Sequence, residues 1–482
     1  MIRYPTQTNP IPNHPITILM KLLSFIVLFA ALIATSTAKA APSLNSFPTA
    51  SATILLDFDG HDVSSSMWNY GTPFSCMPAA MTDVQITEAF NRVAEDFRPF
   101  NINVTTDLAK FLAAPLSQRV RIIITPTSTW YAGVAGIAYV TSFTWGDDTP
   151  AFVFSDRLVN DPKRVAEAIS HETGHTLGLY HQAAYDANCT LTSSYSTGVG
   201  AGVTSWGPIM GNVASKNVTQ WNFGATPNGC TYLQDNLSVI TTTNGFGYRT
   251  DDVANVYSSA TAITVAANAF SKDGIISTTT DIDFFKFSFA STGNFKMIAI
   301  PYNVGADLSG ANLDMKITLH NAKGIIIRTY DTVDSLHIRI DTTLNAGNYF
   351  IQIDGAGSIS NANDYGSLGA YTISGTFSGT TTATTTTKTT GRKTAANPGI
   401  NSASEETPAM RFKVIKQAQQ PVIVSATESY DYMVVDNFGR IILNGKAAAG
   451  TKTIDIRNQP SGIYNLRLMN ANEQRTEKFM NR

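Results

Sequence analysis

The chain reads as multidomain: an α+β part with one histidine-bearing helix, followed by all-β sandwich parts. Three observations predict this. At 482 residues it is too long for one ordinary core. Before about residue 250, strand-like runs alternate with helix-spaced apolar residues; after it come period-two strands and glycine turns. A threonine-rich stretch of very low apolar content then sets the last segment apart. The boundaries drawn are 1–40, 41–250, 251–378, 379–410 and 411–482.

The first segment is an export signal. An apolar run over 22–34 stands behind Lys21 and ahead of Ala38-Lys39-Ala40, a cleavage-site pattern, so cleavage is expected after Ala40. The run is too short for a stable membrane span. The polar residues before it leave Met1 and Met20 both as starts. Next, 53–58 reads as a strand. Ile86, Phe90, Val93, Ala94 and Phe97 have helical spacing, and 102–105, 120–125, 137–141 and 151–154 read as strands. Asp161 before Pro162 is an N-cap and first-turn pair, and Val165, Ala166, Ala168 and Ile169 supply the apolar side of a helix.

That helix runs into HETGHTLGLYH at 171–181, which holds three of the seven histidines. His171 and His175 are one turn apart on one face. Paired neutral imidazoles suit Zn²⁺. Glu172 faces an adjacent side, placed as a general base. Gly178 can adopt the left-handed conformation that ends the helix and returns His181. The eleven-residue pattern resembles the metzincin zinc proteases. The resemblance implies one Zn²⁺ on His171, His175 and His181, with water at the fourth position and Glu172 as base. It also implies a methionine turn beneath the metal, which Met210 in WGPIMGN at 206–212 matches. Some metzincins place a metal-ligating tyrosine two residues later; this chain has Asn212, so no fifth ligand is carried over. TQWNFG at 219–224 and LQDNLSVI at 233–240 resemble reprolysin-like secreted bacterial members, although Gln182 stands where reprolysins often have Asp. In this family 133–140 would be the strand beside the cleft, along which an extended peptide adds itself.

Residues 251–378 are similar to the bacterial pre-peptidase C-terminal domain, a β-sandwich. Asp281, Asp283 and Asp364 offer oxygen to Ca²⁺, but no calcium site is assigned. Residues 411–482 resemble a type IX secretion C-terminal sorting domain, which implies type IX machinery as partner and a surface or secreted location. In an exported chain, two of the three cysteines should pair. Cys189 and Cys230 bracket the Met210 segment, leaving Cys76 free. A net charge of −2 gives no basic footprint for nucleic acid. The expected function is a secreted zinc endopeptidase acting on proteins or peptides. The alternatives are a catalytically weak surface adhesin on the same scaffold and a zinc hydrolase of a non-peptide amide.

Overall fold

The computed structural model describes residues 41–379, apart from 65–66, 266–267 and 306–307, and most of 412–481. The expected export signal, residues 1–40, and the threonine-rich residues 380–411 lie outside the described residues.

Seven elements build the part that carries the histidines: β1 (Ala52–Asp57), α1 (Asp83–Asp96), β2 (Ile102–Thr105), β3 (Arg119–Thr125), β4 (Gly136–Ile137), β5 (Ala151–Phe154) and α2 (Pro162–Thr176). The sheet order is β2-β1-β3-β5-β4. All neighbours are parallel except β4, which runs antiparallel to β5 at the edge. Every residue of β1 is buried, as a central parallel strand covered on both faces requires. Period-two alternation divides the side chains. Ile54, Leu56, Ile122, Ile124 and Val153 join the core shared with α1 and α2. Ile123, Phe152 and Phe154 face the other way, onto Val63, Trp68 and Cys76. Thr82 and Gln85 close a reciprocal capping box at the start of α1.

The strand expected over 137–141 is shorter in the structure. Only Gly136 and Ile137 pair with β5. The chain then leaves the sheet, because the Thr141 N–H donates to the carbonyl of His175, near the end of α2, at 3.0 Å. Thr141 sits at φ +70°, and a short 3₁₀ turn, Ser142–Thr144, follows.

Residues 261–377 form two sheets. One orders Thr261–Ala262, Ile282–Phe289, Gly347–Gly355, Met315–Asn321 and Ile326–Asp331; the other orders Ala269–Ile276, Gly369–Phe377, Gly293–Pro301 and Ile338–Leu344. Their inner faces meet through aromatic rings, with Phe287 over Phe295 at 5.0 Å and Phe289 over Phe377 at 3.5 Å. The alternation of IDFFKFSF is the cause: Asp283, Phe285, Phe287 and Phe289 all point inward. This sandwich shares one continuous apolar core with the α+β part, so the boundary at 250 separates sheets but not cores.

The C-terminal segment has its own core, including Val422, Val424, Val434, Leu466 and Leu468. It forms a three-stranded and a four-stranded sheet. No helix among the described residues is long and apolar enough to cross a membrane.

Candidate metal centre

α2 begins where Asp161 accepts a hydrogen bond from the Arg164 N–H at 2.9 Å, with Pro162 in the first turn. It ends in a Schellman arrangement. The Gly178 N–H donates to the His175 carbonyl at 2.8 Å, and the Leu179 N–H to the Gly174 carbonyl at 2.9 Å. Gly178 has φ +100°, a conformation that a β-carbon would strain. The chain therefore reverses within three residues and brings His181 back beside His175. The side-chain amide of Gln234 holds that return in place: it accepts from the Tyr180 N–H at 2.9 Å and donates to the Tyr180 carbonyl at 3.0 Å.

His171, His175 and His181 bring one ring nitrogen each within 4.8 Å of one another. The Nε2 atoms of His175 and His181 stand 3.0 Å apart. Two nitrogens bound at tetrahedral zinc would be about 3.3 Å apart, so the spacing fits that ion. The tautomers fit as well. His171 Nδ1 lies 2.9 Å from the Ile209 carbonyl and His175 Nδ1 lies 2.7 Å from the Leu179 carbonyl. A neutral imidazole donating there leaves its Nε2 lone pair free for a metal. Burial, with help from neighbouring histidines, lowers the His171 pKa to about 3 and that of His181 to about 4, while burial also lowers His175. All three are thus uncharged near neutral pH, as ligands must be.

Glu172 is only 7% exposed, and burial pushes its carboxyl up to about 8. Its side chain lies against β4. A β-carbon on Gly136 would fall 2.6 Å from Glu172 Oε1, so only glycine at that edge position leaves room for the carboxylate. Glu172, the three histidines and the edge segment 133–138 line one cleft of about 580 Å³. Asn212, Val213 and Ala214 form part of its lining.

Beneath the imidazoles, Trp206–Pro208 pairs in parallel with Val218–Gln220 and leads into a tight turn closed by the Gly211 N–H on the Pro208 carbonyl, 2.8 Å. The turn holds Met210, which is fully buried. Its sulfur packs onto α2 at Gly174, where an added β-carbon would lie 2.4 Å from it. The turn is wired to the histidine segment by its backbone: the Ile209 carbonyl receives His171, and the Met210 carbonyl accepts from the Gln182 N–H at 2.8 Å. Gln182 is itself buried and donates to the Asn222 carbonyl at 3.0 Å.

A second tier reaches into the sandwich. Asp96, at the end of α1, accepts from Ser170 of α2 at 2.5 Å and from the Asn312 amide at 2.7 Å. Its backbone carbonyl takes the Trp221 indole N–H at 2.7 Å, and Trp221 lies against Gly174. Burial and the nearby Glu167 push the Asp96 carboxyl up to about 8. Sequence reasoning missed this hub, Gly136, Gly174 and Gln234, because their partners lie far away in the chain. It also missed Tyr195, whose ring sits 4.1 Å from that of His181. A tyrosine in a serine- and threonine-rich loop carries no sequence signal.

Cys189 and Cys230 are disulfide-bonded, and Cys76 is a free, buried thiol pushed up to about 12 by burial. Of the acidic residues named for calcium, Asp281 and Asp283 meet Asp251, while Asp364 stays outside that group. One carboxylate oxygen of Asp281 and one of Asp283 are buried without a hydrogen-bond partner. These hard oxygens are of the type Ca²⁺ takes, but no ion is assigned there.

Residues 418–482 match the family described as the secretion system C-terminal sorting domain. This tail directs the chain through type IX secretion to the cell surface or the medium. No curated protein matches the chain. Among solved structures, the pre-peptidase C-terminal domain of collagenase from Bacillus anthracis is similar at 16% identity, over 24% of this chain and 91% of that one, with a TM-score of 0.18. The BSP domain of a biofilm associated protein shares 11% identity over 46% and 51% of the two chains, with a TM-score of 0.13. A β-glucuronidase from Faecalibacterium prausnitzii shares 11% identity over 44% and 36%, with a TM-score of 0.12. TM-scores this low carry no argument about this chain.

Proposed function

We propose that the protein is a secreted zinc-dependent endopeptidase of the metzincin type. The observation that carries the reading is the convergence of three neutral imidazoles and one buried carboxylate at a cleft walled by a sheet edge. His171, His175 and His181 would hold the zinc. When bound, the ion lowers the pKa of a water and polarises a carbonyl. Glu172 takes the proton of the attacking water and returns it to the leaving amine. β4 is the last strand of its sheet, so its outer backbone groups are free to pair with an extended peptide. That open edge favours a peptide over a small amide, and the intact Glu172 favours an enzyme over an adhesin.

The test separates metal binding from chemistry. Glu172→Ala should keep about one zinc per chain while peptide hydrolysis falls by about 10²–10⁴-fold. His181→Ala should lose zinc itself, because two helical imidazoles cannot replace a three-point site. Full hydrolysis by zinc-loaded Glu172→Ala would overturn the mechanism.

A further inference from the structure

Tyr195 follows the disulfide-tethered hairpin Ala184–Tyr185/Leu191–Ser193 and lines the cleft together with β4. Its ring stands 4.1 Å from the His181 ring and 6.2 Å from the His171 ring. The backbone around it is tied to the ligand scaffold. Ser193 Oγ donates to the Tyr195 carbonyl at 2.7 Å; the Ser196 N–H donates to the Gln182 carbonyl at 2.7 Å; the Asn212 N–H donates to the Ser196 carbonyl at 2.8 Å. Tyr195 is therefore positioned by the residue after His181 and by the one beyond the methionine turn. Tyr195 is 40% exposed and lines the same cleft as Glu172 and the three histidines. Among the described residues, no hydrogen bond of the protein occupies the hydroxyl. The ring stands against the histidine cluster, and its hydroxyl is a donor without a protein partner among the described residues. Two residues after Met210, Asn212 carries no hydroxyl that could do the same.

We propose that the Tyr195 hydroxyl donates a hydrogen bond to the oxyanion that develops on the scissile carbonyl, making Tyr195 a catalytic residue. The inference rests on the peptidase reading above. The phenol keeps its proton throughout. Water adds to the carbonyl carbon, the carbonyl electron pair moves to oxygen, and the hydroxyl stabilises that charge until the C–N bond breaks. A preorganised donor of this kind is worth about 10²–10³ in kcat.

The test compares the wild-type full chain with Tyr195→Phe, which keeps the ring against His181. Three quantities are measured: zinc per chain, peptide turnover, and calorimetric affinity for a phosphinic peptide that mimics the tetrahedral species. A matched cleavage-product peptide serves as the ground-state control. The expected result is unchanged zinc, unchanged product binding, kcat lower by about 10²–10³ with KM little moved, and phosphinic affinity weakened by a similar factor. Equal phosphinic affinity in the two proteins, or loss of zinc in Tyr195→Phe, would overturn the assignment. A wild-type protein that neither cleaves any peptide nor binds the phosphinic peptide would remove the peptidase reading with it; wild-type cleavage matched by Tyr195→Phe would remove only the role of Tyr195.

Discussion

Gly174 is the point where the histidine helix touches Met210, and replacing it with alanine tests whether that contact holds the proposed zinc site together. The added β-carbon would lie 2.4 Å from Met210 Sδ, 3.3 Å from Met210 Cε and 3.4 Å from Trp221 Cζ3. Normal contact needs roughly 3.5–4.0 Å, so Met210 must retreat by about 1 Å. Two opposing effects follow. Alanine inside a helix gains about 1 kcal/mol over glycine. Overpacking a full core costs about 1–3 kcal/mol. The net loss of stability is thus about 0–2 kcal/mol, small for a chain of this size. The metal should report the strain more sharply. Moving Met210 disturbs the Ile209 carbonyl that orients His171 and the Met210 carbonyl that holds Gln182, next to His181. Each ~1.4 kcal/mol of lost orientation weakens zinc about tenfold. Gly174→Ala should therefore bind zinc about tenfold more weakly, measured by competition with a chromophoric chelator. Truncating the methionine in that background should relieve the clash, so a double-mutant cycle with Met210→Ala should show coupling of about 0.5–3 kcal/mol. Unchanged zinc affinity in Gly174→Ala, or a strictly additive cycle, would refute the reasoning.

Two further outcomes are expected. Asn312→Ala leaves the buried Asp96 without one of its donors, which costs about 1–3 kcal/mol. Because the sandwich and the α+β part share a core, urea unfolding should shift as one transition that includes the histidine helix; a separate transition confined to the sandwich would contradict this. The histidine cluster makes the metal-free protein sensitive to acid. Folding depresses the pKa of all three histidines, so their contribution is fully present above the unfolded value of about 6.5 and is lost as pH falls towards the folded values of about 3 for His171 and about 4 for His181. The melting temperature of the zinc-free protein should drop steadily from pH 7 to pH 4, and histidine-to-alanine replacement should flatten that slope; an unaltered slope would show the titration lies elsewhere.

The residues legible from sequence are those whose geometry is set by near neighbours. Asp161, Pro162, His171, Glu172, His175 and Gly178 lie on one helix and its end, where hydrogen bonds span three to five residues and spacing alone dictates which side chains share a face. The inward set Asp283, Phe285, Phe287 and Phe289 follows equally from a period of two. Local pattern failed first at the edge strand: nothing near Thr141 signals that its N–H is taken by His175. Apart from the Cys189–Cys230 pairing, it was silent where these distant segments share space. That Gly136 makes room for Glu172, that Gly174 seats Met210, and that Asp96 joins Ser170 to Asn312 depend on how the sheet, the helix and the sandwich close on one core. Chain order likewise gave no sign that folding brings Asp251 to Asp281 and Asp283. The sequence by itself determined which side chains can bind metal or move a proton, because that is a property of residue type and local spacing. Only the tertiary structure decided which of them meet, in which tautomer and against which wall, because burial and packing act between segments that have no local memory of one another.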